Sequence, residues 1–376
     1  MIASLSHLFL QQYWWAIISL LGALLVFLMF VQGGQSLIYT IGKTNEQRTM
    51  LINTLGRKWE FTFTTLVTFG GAFFAAFPLF YATSFGGAYW VWIAILFTFI
   101  LQAVSYEYRS KPDNFLGKKT YEAFLIMNGF FAPILIGIAV GTFFNGARFV
   151  LNEYNQVIWQ TEWRGLEALL TFHNISLGLA VFFLVRLIGL QYFLNSIDEA
   201  DIHKRSKKHI LYNAVPFLVF FLFFLIYVLL KDGFEYHPET KTVSLEPYKY
   251  FHNLIEMPVL LVLMLAGIVL VLFGLVNDLY MKAGKGVWFT GTGTVVTVFT
   301  LFLVLGYNNT CFYPSEADLQ SSLHIENSSS SRFTLTVMSY VSLIIPFVLA
   351  YIWIAWKSIN KKKIDKEELK SDNHIY

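Results

Sequence analysis

The sequence predicts an all-α integral membrane protein of about nine transmembrane helices, with its N-terminus outside and its C-terminus in the cytoplasm. Three observations carry that expectation. Of 376 residues, 56% are apolar and 18% aromatic while 14% are charged, and the mean hydropathy is +0.55. Soluble domains are less apolar and carry more charge. Apolar runs of about 20 residues recur along nearly the whole chain, each long enough as a helix to cross a hydrocarbon core of roughly 30 Å. Lys and Arg, finally, fall into alternate connections.

In order, the expected spans cover residues 13–40, 61–83, 88–107, 122–147, 167–193, 211–231, 255–277, 287–307 and 334–357. The first has no basic stretch before it and no small-residue cleavage site after it, so it reads as a retained helix rather than a removed signal. The second contains GGAFFAAFPLFYA, residues 70–82. Its small residues at i and i+4, Gly71 with Ala75 and Ala72 with Ala76, suit close backbone packing between membrane helices. Pro78 is expected to bend it, and Gly and Pro in other spans are tolerated because neighbours re-satisfy the freed backbone groups. A β-barrel is excluded because the apolar signal is continuous rather than alternating.

Charge assigns the sides. With the tail KSINKKKIDKEELK at 357–370 taken as cytoplasmic, twenty of the 27 Lys and Arg lie on its side and six on the other, with Arg186 inside the fifth span. The basic residues are thereby explained as topology determinants, not as a nucleic-acid surface. The whole chain, 1–376, is read as one polytopic domain ending in a basic cytoplasmic tail at 358–376. Cys311 is the sole cysteine and has no internal disulfide partner.

Chemistry at membrane depth needs ionisable groups there. Among eight histidines, His7, His203, His209, His237, His252, His324 and His374 fall in loops, helix ends or tails, and His173 alone falls within a span. A single histidine is more often a helix–helix hydrogen-bond partner than a haem ligand. Zinc spacing, a P-loop and a nucleophile with a nearby base are all missing. Glu60, Glu107, Glu167 and Glu256 each sit near a span end. There they read either as solvated or paired helix-end residues or as proton carriers, and Glu60 and Glu107 lie on the cytoplasmic side.

Three stretches carry a resemblance. RKWEFTFTTLVTFGGAFFAAFPLFYATSFGG, then QAVSYEYRSK, and near the end NSSSSRFTLTVMSYVSLIIPFVLAYIWIAW are similar in order and spacing to subunit II of the cytochrome bd quinol oxidases. The match is dense over about 50–111 and 327–356. It implies a non-haem subunit in the bacterial cytoplasmic membrane, paired with a subunit I that carries b- and d-type haems. The complex would oxidise quinol, reduce dioxygen to water and draw protons from the cytoplasm, building a proton motive force.

By the same resemblance, Trp59 and Glu60 occupy a Trp-acid pair implicated in a cytoplasmic proton channel, with Glu60 in place of the usual Asp. Glu107 and Arg109 occupy an FEFR-like motif. Gln32 and Gln35, in QGGQ, stand where the family commonly has acids, so hydrogen bonding survives there and ionisation does not. No catalytic, haem-binding or metal-binding residue is expected in this chain. A structural quinone or lipid and small single-helix accessory subunits are compatible with the family. The competing expectations are a secondary transporter, although repeats and midplane polar sites are not apparent, and a purely structural scaffold.

Overall fold

The computed structural model describes residues 4–281, 284–361, 363 and 364. Lys282, Lys362, His374 and most of the tail assigned to 358–376 lie outside the described residues. In chain order the helices are α1 (His7–Leu28), α2 (Phe30–Gln35), α3 (Ile38–Ile41), α4 (Asn45–Gly56), α5 (Trp59–Ala76), α6 (Pro78–Tyr81), α7 (Tyr89–Tyr108), α8 (Lys118–Asn145), α9 (Phe172–Ser196), α10 (Ala200–Leu230), α11 (Lys249–Glu256), α12 (Pro258–Tyr280), α13 (Gly286–Gly306), α14 (Ile325–Ser328), α15 (Arg332–Ser342) and α16 (Ile345–Ile359).

Among the described residues, seven helical stretches are long and apolar enough to cross a membrane, and α15 with α16, bent by 41°, makes an eighth if the pair is one span. The expected span 61–83 takes a different form. Helix α5 stops at Ala76, Pro78 opens the one-turn α6, and a π-turn covers Ala82–Gly87. The expected first span likewise breaks at Met29, and the expected 255–277 begins as the separate α11.

Helix α9 is the most enclosed span and packs on α8, α10 and α2. Helix α1 lies against α13 and α5, α13 against α12, and α7 against α8. Small residues set the closest crossings. A Cβ on Gly33 would lie 2.0 Å from the Val185 carbonyl oxygen, and one on Gly129 would lie 2.6 Å from the Gln32 carbonyl oxygen. Helix α2 is thus clamped between α9 and α8 at distances that only glycine allows. Gly71 behaves otherwise: nothing lies within 4 Å of its Cβ position, and it is exposed beside Phe74. The core face of this stretch is aromatic instead, with Phe73, Phe77 and Phe80 fully buried around Trp15 and Phe312.

Two short hairpins cap the end opposite the basic loops, where no strand was expected. Strand β1 (Phe149–Leu151) pairs with β2 (Val157–Trp159), and β3 (Gly233–His237) with β4 (Thr242–Glu246). Residues 308–331 tie them to the bundle through bridges at Ala147–Ser315 and Glu235–Thr310. Cys311 is fully buried there with Phe234, Tyr236 and Val243, and burial pushes its thiol well above the ordinary value.

The proline break in α5 leaves carbonyls without helical donors, and the serine patch supplies them. Ser330 donates its amide to Ala76 O at 2.8 Å and its hydroxyl to Ala75 O at 2.6 Å, while Gln11 of α1 donates to Ser329 Oγ at 2.6 Å. Two of the stretches singled out in the sequence therefore meet. Ser331 then caps α15 by accepting from Thr334 N.

At the basic end, Lys58 is buried with its Nζ 4.4 Å from the Trp356 ring and 5.7 Å from the Phe61 ring. Burial, reinforced by the Arg57 charge, pushes its amine down to about 7. From about pH 7 up to the ordinary lysine value, the folded chain therefore holds fewer protons than the unfolded one, and its stability rises with pH. Thermal unfolding of the purified protein from pH 7 to 9 is expected to show a steeper rise in Tm for the wild type than for Lys58→Met; parallel curves would refute the assignment. Ser330→Ala is expected to lower stability by about 1 kcal/mol, the worth of one lost hydrogen bond, as read by denaturant or thermal melts.

Candidate functional site

Helix α2 carries two amides into the interior. Gln32 and Gln35 are fully buried, and their Nε2 groups donate to Oε1 of Gln102 at 2.6 and 2.7 Å. Gln35 Nε2 also donates to Tyr106 Oη at 3.0 Å. Gln102, Tyr106 and Arg109 recur at helical spacing on the inner face of α7 and its end. The Tyr106 ring in turn stacks on Trp59, with centroids 5.8 Å apart and planes 16° apart. Two of the expected residues, Gln35 and Trp59, thereby meet at one tyrosine, and Gln32 joins them through Gln102.

Below this amide cluster sits an ion cluster. Arg109, 3% exposed, donates from Nε and Nη2 to Glu122 Oε1 at 3.2 and 2.8 Å. Tyr39 of α3 donates its hydroxyl to Glu122 Oε2 at 2.5 Å, and Arg48 Nε lies 3.8 Å from the same oxygen. Both Glu122 oxygens thus face cations or a hydroxyl, which is what a buried carboxylate requires. Arg186, the one basic residue expected inside a span, is held by Asn213 Oδ1 at 2.8 Å and donates to Ser36 Oγ at 3.2 Å, one residue beyond Gln35.

The two remaining expected residues face outward. Glu107 is exposed and pairs with Lys111 at 3.3 Å, one helical turn away. Glu60 is exposed on α5, and its carboxylate makes no hydrogen bond or ion pair among the described residues. Thr64, Val67, Thr68, Gly71 and Phe74 are exposed along the same helix. Glu60 therefore opens a face of α5 that this chain leaves uncovered. Trp59 points inward and Glu60 outward, although they are adjacent.

Sequence reasoning missed Gln102, Tyr106, Glu122, Tyr39 and Arg48. Glu122 carried a signal, since it is the first residue of an expected span, as Glu167 is and Glu256 nearly is. Gln102 carried another, as a lone amide inside an apolar run. His173 falls at the second residue of α9, near the end of the bundle rather than its middle, with its ring stacked on Tyr227 at 3.3 Å and on Phe223 at 5.8 Å. Its imidazole is thus engaged by ring stacking against α10. Among the described residues, no three His, Cys, Asp or Glu side chains gather as a metal site.

The likenesses to known proteins extend over the same residues. The probable cytochrome oxidase subunit 2 of Haemophilus influenzae is 28% identical over 363 residues, covering 92% of this chain and 93% of the relative. Cytochrome bd-I ubiquinol oxidase subunit 2 of Escherichia coli K12 is 26% identical over 378 residues, covering 96% and 97%. In fold, a chain of the bd oxidase from Geobacillus thermodenitrificans superposes with a TM-score of 0.62 at 13% identity, covering 94% of this chain and 99% of that one. The family described as cytochrome bd terminal oxidase subunit II matches residues 10–359. Spanning the amide cluster, the ion cluster and the outward acids alike, that match means that this chain belongs to the cytochrome bd terminal oxidase subunit II family.

Proposed function

We propose that this subunit is the haem-free half of a bd-type quinol oxidase, and that Glu60 stands at the start of a cytoplasmic proton-uptake path. Membership of the family makes the chain a component of a membrane quinol:oxygen oxidoreductase and sets aside the transporter reading. The haems, of b and d type, belong in this proposal to the partner, subunit I, where quinol is oxidised and dioxygen reduced to water. Nine spans, an outside N-terminus, a cytoplasmic C-terminus and a single domain over 1–376 are part of the same proposal, as are a structural quinone or lipid and small accessory subunits.

One observation supports the proton role above the others. Glu60 is an exposed carboxylate at the basic end of a helix whose outward face this chain does not cover, next to a tryptophan that stacks on the amide cluster. An acid at such a place can take a proton from water on one side and pass it to groups of the covering chain on the other. The chain's own interior offers Gln32, Gln35 and Gln102 on its side of Trp59, and amides do not ionise. They can orient water but cannot store a proton. The reading of a pure scaffold draws its support from those amides, because the buried acid beside them, Glu122, is held by Arg109 and Tyr39.

Two measurements separate the readings. Glu60→Gln in an assembled, haem-replete complex is expected to slow oxygen consumption about tenfold or more, the scale of losing a positioned proton-transfer group; unchanged turnover would leave the scaffold. Isolation in mild detergent is expected to bring down a second integral membrane protein with b- and d-type haem absorption, and a colourless chain on its own would sink the oxidase reading altogether.

A further inference from the structure

A cavity at the basic end of the bundle is lined by hydrogen-bond donors and cations and by no carboxylate among the described residues. Its wall includes Thr54 of α4, Arg57, Tyr192 and Ser196 of α9, Asn360 just after α16, and Lys363. Two of these carry donors that make no hydrogen bond among the described residues. Thr54 is 2% exposed and its Oγ1 has no partner, and Asn360 Nδ2 is buried without an acceptor. The Asn360 amide is oriented, because its Oδ1 accepts from Tyr192 Oη at 3.4 Å, which leaves the NH2 group free to donate elsewhere.

The surroundings reinforce one sign. Lys58, next to Arg57, is buried with its Nζ on the Trp356 ring and no hydrogen-bond acceptor, and Trp356 Nε1 is a further buried donor without a partner, one turn before Asn360. A buried donor left unpaired is costly. Two on the wall of one cavity, Thr54 Oγ1 and Asn360 Nδ2, indicate that an acceptor belongs there. A tetrahedral oxyanion accepts from hydroxyl, amide and guanidinium donors arriving from different directions, and it complements a cationic wall. Anionic headgroups lie where basic loops of a membrane protein meet the surface.

We propose that this cavity, between α4, the end of α9 and the end of α16, binds a phosphate-class oxyanion through Thr54 Oγ1 and Asn360 Nδ2, with Lys363 supplying charge. Two sources share that chemistry, the phosphodiester of a membrane phospholipid and free phosphate. The site would fasten the last helix to the α4–α5 corner from which Trp59 and Glu60 project.

Native mass spectrometry of the purified complex, after mild delipidation, tests the first source; its thermal stability against inorganic phosphate, with chloride at matched ionic strength, tests the second. A retained phospholipid whose occupancy falls about tenfold in Thr54→Val/Asn360→Leu supports the lipid headgroup, on the scale of two lost hydrogen bonds. Where no lipid is retained, a phosphate-dependent rise in Tm whose midpoint concentration shifts about tenfold in the double variant supports free phosphate. Lys363 is exposed, so Lys363→Gln provides a second reading if the double variant does not assemble, with a smaller loss of the same quantity expected. A wild-type complex that neither retains lipid nor responds to phosphate, or variants that bind as the wild type does, would overturn the site.

Discussion

No side chain fits at the two points where α2 crosses α9 and α8. With Gly33 against the Val185 carbonyl on one side and Gly129 against the Gln32 carbonyl on the other, three helical backbones approach to near contact, and the arrangement of the bundle follows. Gln32 and Gln35 must then point into the remaining space, toward α7, where Gln102 and Tyr106 receive them. Between membrane helices, contact of this kind replaces the hydrophobic drive that lipid cannot supply. The polar cluster is a consequence of that approach, and the ion cluster around Glu122 extends it to the basic end.

The second constraint is that every broken helix must satisfy its own backbone. At Met29, the Leu28 carbonyl receives the Thr62 hydroxyl at 2.9 Å. Past Ala76, Ser330 serves the last carbonyls of α5. At the end of α8, Lys231 Nζ reaches Phe144 O at 2.7 Å and Asn145 Oδ1 at 3.2 Å, and at the start of α13 Asp278 Oδ1 accepts from Gly284 N and Gly286 N at 2.8 and 2.9 Å. Each partner comes from a different element or from beyond a turn. In hydrocarbon an unpaired peptide group costs several kcal/mol, so these side chains decide where a break is allowed.

Long apolar helices were legible in the sequence because hydropathy accumulates residue by residue, and the bulk of α7, α8, α9, α12 and α13 falls where expected. The breaks were less so. Pro78 announced a bend, but at the Met29 break the Leu28 carbonyl is served by a threonine 34 positions beyond Leu28. The hairpins escaped notice because β1–β4 are three to five residues long and are held by loop 308–331, a pairing no local pattern records. In the site, Trp59, Gln32, Gln35 and Arg109 were found through resemblance, whereas Glu122 and Gln102 are defined by partners on other helices. The division of Trp59 inward and Glu60 outward is a matter of helix rotation, set by what α5 packs against.

Cys311 has a practical consequence. It is fully enclosed under the β3–β4 hairpin, its thiol held in the unreactive protonated form by burial. The native chain is therefore already a background on which one introduced cysteine can be labelled selectively. Reporter dyes or spin probes placed along α5 or α16 would read distances and solvent access without first deleting a residue from the core.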